Sequence, residues 1–119
     1  MLIDTNIALY LLTGDTTLRD LLHERSVSVS FITEMELLSY PSLSDEEHTS
    51  VRNFLSDCVI LDLNTQTKRQ AIRFRRQHAL TLPDALIGAT AAVSGQPFLT
   101  ADQDFQALET SLSLLIYEP

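Results

Sequence analysis

Short apolar runs alternate with helical patterns along the whole chain, and this alternation is the feature that most constrains the fold. The apolar runs are MLID, VSVSF, CVILDL, QPFLTA and LSLLIY. Between them, apolar residues recur every three or four positions, as on one face of a helix. Strands that alternate with helices build a mostly parallel sheet, because each connection crosses one face of that sheet. The sequence therefore predicts an α/β three-layer sandwich with a mostly parallel five-stranded sheet flanked by helices.

The composition fits one domain of this kind. The chain has 119 residues, of which 45% are hydrophobic and 20% charged, a balance typical of globular proteins. No linker, repeat or low-complexity segment divides it, so we predict a single domain over residues 1–119. It has no apolar run of membrane-spanning length and no basic start of a signal peptide, which favours a cytoplasmic protein without a membrane partner. The single cysteine, Cys58, is expected in a buried strand.

Positive charge is concentrated in one segment of an otherwise acidic chain. The net charge is −8, with sixteen acidic and eight basic residues, and five of the basic residues fall within KRQAIRFRR. In a helix, Arg69, Arg73 and Arg76 share one side, opposite a more apolar side. This basic face is either an ordinary solvated surface or a surface that binds a polyanion.

One acidic residue lies in an otherwise uncharged segment. Residues 81–95 read TLPDALIGATAAVSG, in which Asp84 is the only charged residue. Pro83 suits the start of a helix and Gly95 its end, so the segment predicts a buried helix that begins at about Asp84. Asp84 is then either the N-cap of this helix or part of a site, and the segment alone leaves both interpretations open.

Other acidic residues occupy comparable points of the predicted fold. Asp4 ends the first strand, Asp102 and Asp104 follow the fourth, and Glu36 lies in the helix after the second. In an open α/β sheet, these positions share the edge at which such folds bind ligands. Converging carboxylates repel one another unless a cation intervenes, and Mg²⁺ prefers oxygen ligands. The pattern indicates a metal site, although each acid considered alone could cap a helix or lie exposed.

Four short motifs resemble those of the PIN-domain nuclease family. LIDTN at 2–6, ITEMEL at 32–37, LPDALIGATA at 82–91 and LTADQDF at 99–105 occur in the order and spacing of that family. Helical spacing does not separate Glu36 from Glu34, whereas the family pattern Ile-Thr-x-x-Glu-Leu selects Glu36. Compact members are mostly VapC-type toxins of toxin–antitoxin pairs. The resemblance therefore implies an endoribonuclease that is inhibited by a small antitoxin protein.

The resemblance also implies roles for individual residues. Four acids match the catalytic positions and would hold Mg²⁺ or Mn²⁺: Asp4, Glu36, Asp84 and Asp102. Three polar residues match those that support the acids: Thr5, Asn6 and Thr100. Asp104 is implied as an auxiliary metal ligand. Many relatives have Asn at the position of Asp102 and a later Asp before Phe, so the choice of fourth ligand between Asp102 and Asp104 stays open.

An RNA substrate gives the basic face a role. We expect Arg69, Arg73 and Arg76 to bind RNA phosphates, and an acidic segment of the antitoxin to cover the same region. By family resemblance, the products carry 5′-phosphate and 3′-hydroxyl ends. Family members commonly form homodimers through helices near the N-terminal half. The apolar faces of NIALYLL and VRNFL fit either such an interface or the core.

Two other functional classes fit parts of the sequence. A catalytically silent PIN-like domain would bind RNA or a protein without cleaving it. An aspartyl-phosphate phosphatase or phospho-receiver would use the acid of DTN, but Asn6 breaks the Asp-x-Asp phosphatase pattern and the only lysine, Lys68, is far from the last strand. No histidine has a metal-like spacing to another ligand, which disfavours zinc.

Overall fold

Five parallel strands form the central sheet of the molecule. The structure is a computed structural model that describes residues 1–119. The strands are β1 (Leu2–Ile3), β2 (Ser28–Ser30), β3 (Val59–Leu61), β4 (Phe98–Thr100) and β5 (Leu114–Ile116). They lie in the order β3-β2-β1-β4-β5, and every neighbouring pair is parallel. The predicted fold class is confirmed, with a sheet that is entirely parallel.

Helices cross both faces of the sheet between the strands. They are α1 (Thr5–Leu12), α2 (Thr16–Leu22), α3 (Phe31–Leu38), α4 (Asp45–Ser56), α5 (Thr65–Gln77), α6 (Leu82–Ser94) and a 3-10 helix (Gln103–Leu108). Local signals set several ends. Ser44 and Glu47 form a reciprocal capping box at the start of α4. Gly95 ends α6 with φ of 69°, in the left-handed region that favours glycine.

Successive residues of the central strands face opposite sides and divide the core in two. Leu2 and Phe98 pack with α5, α6 and the 3-10 helix, whereas Ile3 and Leu99 pack with α1 to α4. This alternation follows from the two-residue period of a strand. The apolar faces of NIALYLL and VRNFL contribute buried side chains to the second core: Ile7, Ala8, Val51 and Leu55.

Small residues let α6 lie close to its neighbours. A Cβ atom added at Gly88 would lie 2.6 Å from Leu108 Cδ1, so a larger residue there would force the buried Leu108 side chain of the 3-10 helix to shift. The contact holds the helix that begins near Asp84 against the segment that follows β4. It therefore brings two of the predicted acidic motifs together.

Two predictions of local detail are wrong. CVILDL forms an edge strand, because the strand order places β3 at the end of the sheet; Val59 is 49% exposed and Cys58 only half-buried. Phe31, expected in the second strand, begins α3. Of the two interpretations of Asp84 that the sequence left open, the structure excludes the N-cap, because Thr81 is the N-cap of α6 and Asp84 lies inside the first turn. No helix is both long enough and apolar enough to cross a membrane.

Candidate functional site

The carboxyl ends of three adjacent strands carry the predicted acids. β1 is the central strand, with β2 and β4 on its two sides. Asp4 follows β1 directly, Asp102 lies two residues after β4, and Glu36 lies on α3, which starts where β2 ends. Because the strands are parallel, these positions meet at one edge of the sheet. Asp84 reaches the same edge from the first turn of α6.

Asp4 is the most buried and most firmly held of these acids. Its side chain is 5% exposed. The Thr5 backbone N–H donates to Oδ1 at 2.7 Å, and the Thr100 hydroxyl donates to Oδ2 at 2.6 Å. The Thr100 hydroxyl oxygen also accepts from the Asp102 backbone N–H at 3.0 Å. Thr100 therefore links Asp4 to the segment that carries Asp102.

Glu36 is joined to the same region through Thr5. The Thr5 hydroxyl donates to Glu36 Oε1 at 2.9 Å. Glu34 instead lines a separate groove with His48 and Arg52. The geometry thus distinguishes the two glutamates that helical spacing alone leaves equivalent, and it favours Glu36.

The closest group of carboxylates comes from α6 and the segment after β4. One carboxylate oxygen from each of Asp84, Asp102 and Asp104 lies within 4.8 Å of the others. The Asp104 backbone N–H also donates to Asp102 Oδ1 at 2.9 Å. Because the Thr81 hydroxyl caps α6, accepting from the Asp84 backbone N–H at 3.3 Å, the Asp84 carboxylate is not used as a cap.

The carboxylates of these residues repel one another, and this repulsion contributes to raised pKa values. The pKa of Asp84 is raised to about 6, chiefly by burial and further by the charges of Asp102, Asp4 and Asp104, against an opposing hydrogen bond from Thr81. The pKa of Asp4 is also raised, mainly by burial; hydrogen bonds from Thr100 and Thr5 oppose that rise, and the charges of Asp102 and Glu36 add to it. We refer to the five residues that share this region as the acid cluster: Asp4, Glu36, Asp84, Asp102 and Asp104.

The chemistry of the acid cluster fits a hard divalent cation. No basic side chain neutralises it, since the only ion pair of the structure joins His23 to Glu24. Every acidic side chain of the cluster offers carboxylate oxygens, which Mg²⁺ and Mn²⁺ prefer. Histidine and cysteine, the usual ligands of zinc, are absent from the cluster.

The predicted basic face extends along the outside of α5. Arg69 and Arg73 line a groove with Val93, near the C-terminal end of α6. Arg76 lines the neighbouring groove with Leu82, the first residue of α6. The arginines thus form a strip alongside α6. It runs from the C-terminal end of α6 toward the N-terminal end, where Asp84 lies.

Some supporting residues differ from those predicted. Thr5 and Thr100 contact acids of the cluster, whereas Asn6 is exposed and lies outside the hydrogen bonds that link them. Thr33 and Thr81 were not predicted to support the site. Thr33 is the Thr of the Ile-Thr-x-x-Glu-Leu pattern that selected Glu36, and this motif position is the signal that could have identified it.

The chain matches one protein family and several solved structures. The model of the PIN domain family matches residues 1–110. A toxin–antitoxin complex from Klebsiella pneumoniae contains a chain with 26% sequence identity and a TM-score of 0.85, and the match covers 99% of this chain and 98% of that one. No curated protein matches the sequence.

Two further structures show the same fold at lower identity. VapBC2 from Rickettsia felis, bound to a DNA fragment from its promoter, has 19% identity and a TM-score of 0.82 over 98% of both chains. DNA-bound VapBC from Salmonella typhimurium has 20% identity and a TM-score of 0.82 over 97% of this chain and 96% of that one. The fold agrees with the resemblance to compact VapC-type members. The chain belongs to the PIN domain family.

Proposed function

We propose that the protein is a metal-dependent endoribonuclease that hydrolyses RNA phosphodiester bonds and acts as the toxin of a toxin–antitoxin pair. The observation that carries this proposal is the acid cluster at the carboxyl edge of a PIN-family sheet. Burial and repulsion there disfavour carboxylate ionisation without a cation, as the raised pKa of Asp84 indicates. Acidic groups with shifted pKa values are typical of functional sites.

Four acids of the cluster would hold Mg²⁺ or Mn²⁺: Asp4, Glu36, Asp84 and Asp102. Asp104 would be an auxiliary ligand, since it is exposed but lies within the closest carboxylate group. A bound divalent ion supplies a coordinated water of lowered pKa and offsets charge on the phosphoryl oxygens. The hydrogen bonds from Thr5 and Thr100 hold Asp4 in one orientation, so its carboxylate needs little reorganisation when a ligand binds.

The arginine strip on α5 would hold the RNA backbone. Arg69, Arg73 and Arg76 are exposed and form no ion pair. Their strip approaches the acid cluster along α5, so a bound polyanion would be guided toward the acids while its phosphates are neutralised. This arrangement supports the arginines as RNA-binding residues.

An antitoxin protein is the proposed inhibitor. The similar structure from Klebsiella pneumoniae is a toxin–antitoxin complex, and those from Rickettsia felis and Salmonella typhimurium are VapBC assemblies. VapBC is a family of toxin–antitoxin systems. In this chain, an acidic antitoxin segment would compete with RNA for the unpaired arginines of α5. Inhibition would then be weaker at high salt, because exposed charge pairs are screened.

A second copy of the chain is the proposed occupant of an exposed apolar groove beside α5. The groove has a volume of about 480 Å³. Its apolar lining includes Leu63, Ile72 and Leu82, which are 40%, 59% and 55% exposed, and its basic lining includes Lys68 and Arg75. Exposed apolar side chains that converge in this way are typical of protein interfaces.

Charge complementarity favours a second copy in this groove. α5 contains five bases and no acid, whereas α3 contains no base and carries one acid outside the acid cluster, Glu34. α3 also exposes Met35 and Leu38, which are 58% and 39% exposed. In a two-fold dimer, α3 of each protomer would contact the groove of its partner. The apolar side chains of α3 would pack against those of the groove, and its acid would lie near the bases of α5.

Sedimentation equilibrium tests this interface. The substitution Ile72→Glu should convert the dimer to a monomer, because it places a charge in the apolar groove. Leu21→Glu is the matched control, since Leu21 is 49% exposed on α2, outside the groove. A wild-type protein that is monomeric at all concentrations, or an Ile72→Glu variant that stays dimeric, would contradict the proposed dimer.

The acid cluster favours catalysis over the alternatives. A silent binding domain would not need five acids held together against their repulsion, and an aspartyl-phosphate phosphatase would need a second acid at the position of Asn6. Both oxygens of Asp4 are already engaged by Thr5 and Thr100. The hydrogen bonds therefore suit a ligand that is held in place better than a mobile nucleophile.

Cleavage of labelled RNA by the purified, antitoxin-free protein tests the proposed activity. We expect discrete fragments with 5′-phosphate ends in Mn²⁺ or Mg²⁺, their loss on addition of a chelator, and their loss in the Asp84→Asn variant. Asp20→Asn is the matched control, because Asp20 is exposed on α2 and lies outside the acid cluster. A folded protein that cleaves no RNA in either metal would favour the silent binding domain.

A further inference from the structure

A chain of three side chains leads from the core to Glu36. The hydroxyls of Thr33 and Thr5 lie 2.9 Å apart, and the Thr5 hydroxyl donates to Glu36 Oε1, also at 2.9 Å. A hydroxyl group has a single proton. Because Thr5 uses its proton for Glu36, Thr33 must be the donor in the contact between the two threonines. The hydrogen bonds therefore run in one direction, from Thr33 to Thr5 to Glu36.

The fold brings these residues together from two adjacent strands. Thr5 begins α1 directly after β1, and Thr33 lies in the first turn of α3 directly after β2. The Ser30 hydroxyl caps α3 by accepting from the Thr33 backbone N–H at 3.2 Å. Thr33 is fully buried and Thr5 is 8% exposed, whereas Glu36 lies at the exposed end of the chain of contacts. The two buried threonines thus provide a fixed hydrogen-bond partner for the exposed Glu36 side chain.

We propose that Thr33 is a positioning residue that fixes the rotamer of Glu36 through the Thr5 hydroxyl. This inference rests on the proposed function, in which Glu36 holds a divalent ion. The donated proton of Thr33 occupies the Thr5 oxygen and leaves the Thr5 proton directed at Glu36. Without that donor, the Thr5 hydroxyl has other orientations, and the exposed Glu36 carboxylate loses its fixed partner. Thr33 itself touches neither the ion nor the substrate.

Substitutions at Thr33 separate its hydroxyl from its shape. Thr33→Val keeps the branched shape and removes the donor, whereas Thr33→Ser keeps the donor. We expect Thr33→Val to weaken Mn²⁺ binding about tenfold, the lower end of the effect of removing outer-shell partners, and Thr33→Ser to restore most of the affinity. Thr90→Val is the control, because Thr90 is equally buried but its hydroxyl bonds only to the Leu86 carbonyl.

A double-mutant cycle tests whether Thr33 acts through Glu36. In a Glu36→Gln background, Thr33→Val should change Mn²⁺ affinity no further, because both substitutions remove the same contribution. An equal loss in both backgrounds, or a Thr33→Val protein that binds Mn²⁺ like the wild type, would overturn the inference. A Thr33→Ser protein as impaired as Thr33→Val would also overturn it.

A metal-free measurement separates this inference from the proposed function. Three-bond proton couplings of the Glu36 side chain report whether it holds one rotamer. The wild type and Thr33→Ser should show one rotamer without metal, and Thr33→Val should show averaged couplings. If the couplings follow this pattern but the wild type neither binds Mn²⁺ nor cleaves RNA, the proposed function fails and the positioning role stands. Averaged couplings in the wild type would overturn the positioning role itself.

Discussion

The acid cluster and the basic face of α5 differ in how their charged side chains are held. Asp4 is buried and bonded to Thr100, which is 96 residues away in sequence, and Glu36 on α3 is bonded to Thr5, the first residue of α1. The arginines of α5 lie on one helix and are exposed; the contact of Arg73 with Gln70 is 3.5 Å long and lies within the same helix. One region is fixed by the tertiary fold, and the other by helical periodicity alone.

This difference matches two kinds of ligand. A small cation requires oxygen atoms at defined positions, so its ligands benefit from the fixed hydrogen bonds of the acid cluster. An RNA backbone presents many equivalent phosphates, so exposed and flexible arginines are sufficient to bind it. Single substitutions in the acid cluster should therefore greatly reduce RNA cleavage. Single substitutions on the basic face should each weaken RNA binding by a small amount.

The largest expected effect distinguishes Asp102 from Asp104 within the acid cluster. Asp102→Asn should reduce RNA cleavage about a hundredfold or more, because a lost ligand removes several kcal/mol of charge stabilisation. Asp104→Asn should reduce it only about tenfold, as for an outer-shell partner, since Asp104 is exposed. Single-turnover cleavage rates at saturating Mn²⁺ measure both. The opposite order would make Asp104 the fourth ligand.

A smaller effect is expected on the basic face. Arg69→Glu combined with Arg73→Glu should weaken RNA binding about tenfold and reduce the salt dependence, with the slope of log K against log salt smaller by about 1.4 for two lost contacts to single-stranded RNA. Arg76 is left unchanged because it also lines the proposed dimer groove. Arg19→Glu on α2 is the control. Unchanged affinity in the double variant would remove α5 from the RNA path.

The smallest expected effect concerns stability in the absence of metal. The pKa of Asp84 in the folded protein is about 6, against an ordinary value of 3.8. The folded state therefore binds the proton more tightly, and its stability should fall as the pH rises from about 4 to about 6. In chelator, Asp84→Asn should lose this part of the pH dependence and melt a few degrees above the wild type at pH 7.5.

Thermal melts of both proteins across this pH range measure the effect. Asp20→Asn is the control, because Asp20 is exposed on α2 and lies outside the acid cluster. Identical pH profiles for the wild type and Asp84→Asn would mean that Asp84 ionises without penalty. The repulsion attributed to the acid cluster would then be wrong.

The fold class was predictable from the alternation of strand and helix patterns along the chain. Several helix ends were predictable because capping residues specify them locally. The capping box of Ser44 and Glu47 and the end of α6 at Gly95 are both confirmed. The edge position of β3 was not predictable, since strand order depends on how the helices cross the sheet and not on how apolar a strand is. CVILDL is the most apolar strand segment, yet it has one neighbour only.

The contacts within the acid cluster were predictable only in part. Motif resemblance pointed to Asp4, Glu36, Asp84 and Asp102, because each lies within a short contiguous motif. The bond from Thr33 to Thr5 depends on the close approach of two helix starts, and no local pattern specifies that approach. The capping of α6 by Thr81 could have been predicted, since Thr at the cap three residues before an acid is a common start signal.

Direct Mn²⁺ binding is the measurement that tests the central claim of a metal site most directly. Titration of the antitoxin-free protein, followed by the electron paramagnetic resonance signal of free Mn²⁺, gives the affinity and stoichiometry. The account predicts saturable binding by the wild type, its loss in Asp84→Asn, and its retention in Asp15→Asn, whose carboxylate only caps α2 and accepts from Tyr117. Equal binding by the wild type and Asp84→Asn, or no binding by either, would contradict a metal site in the acid cluster.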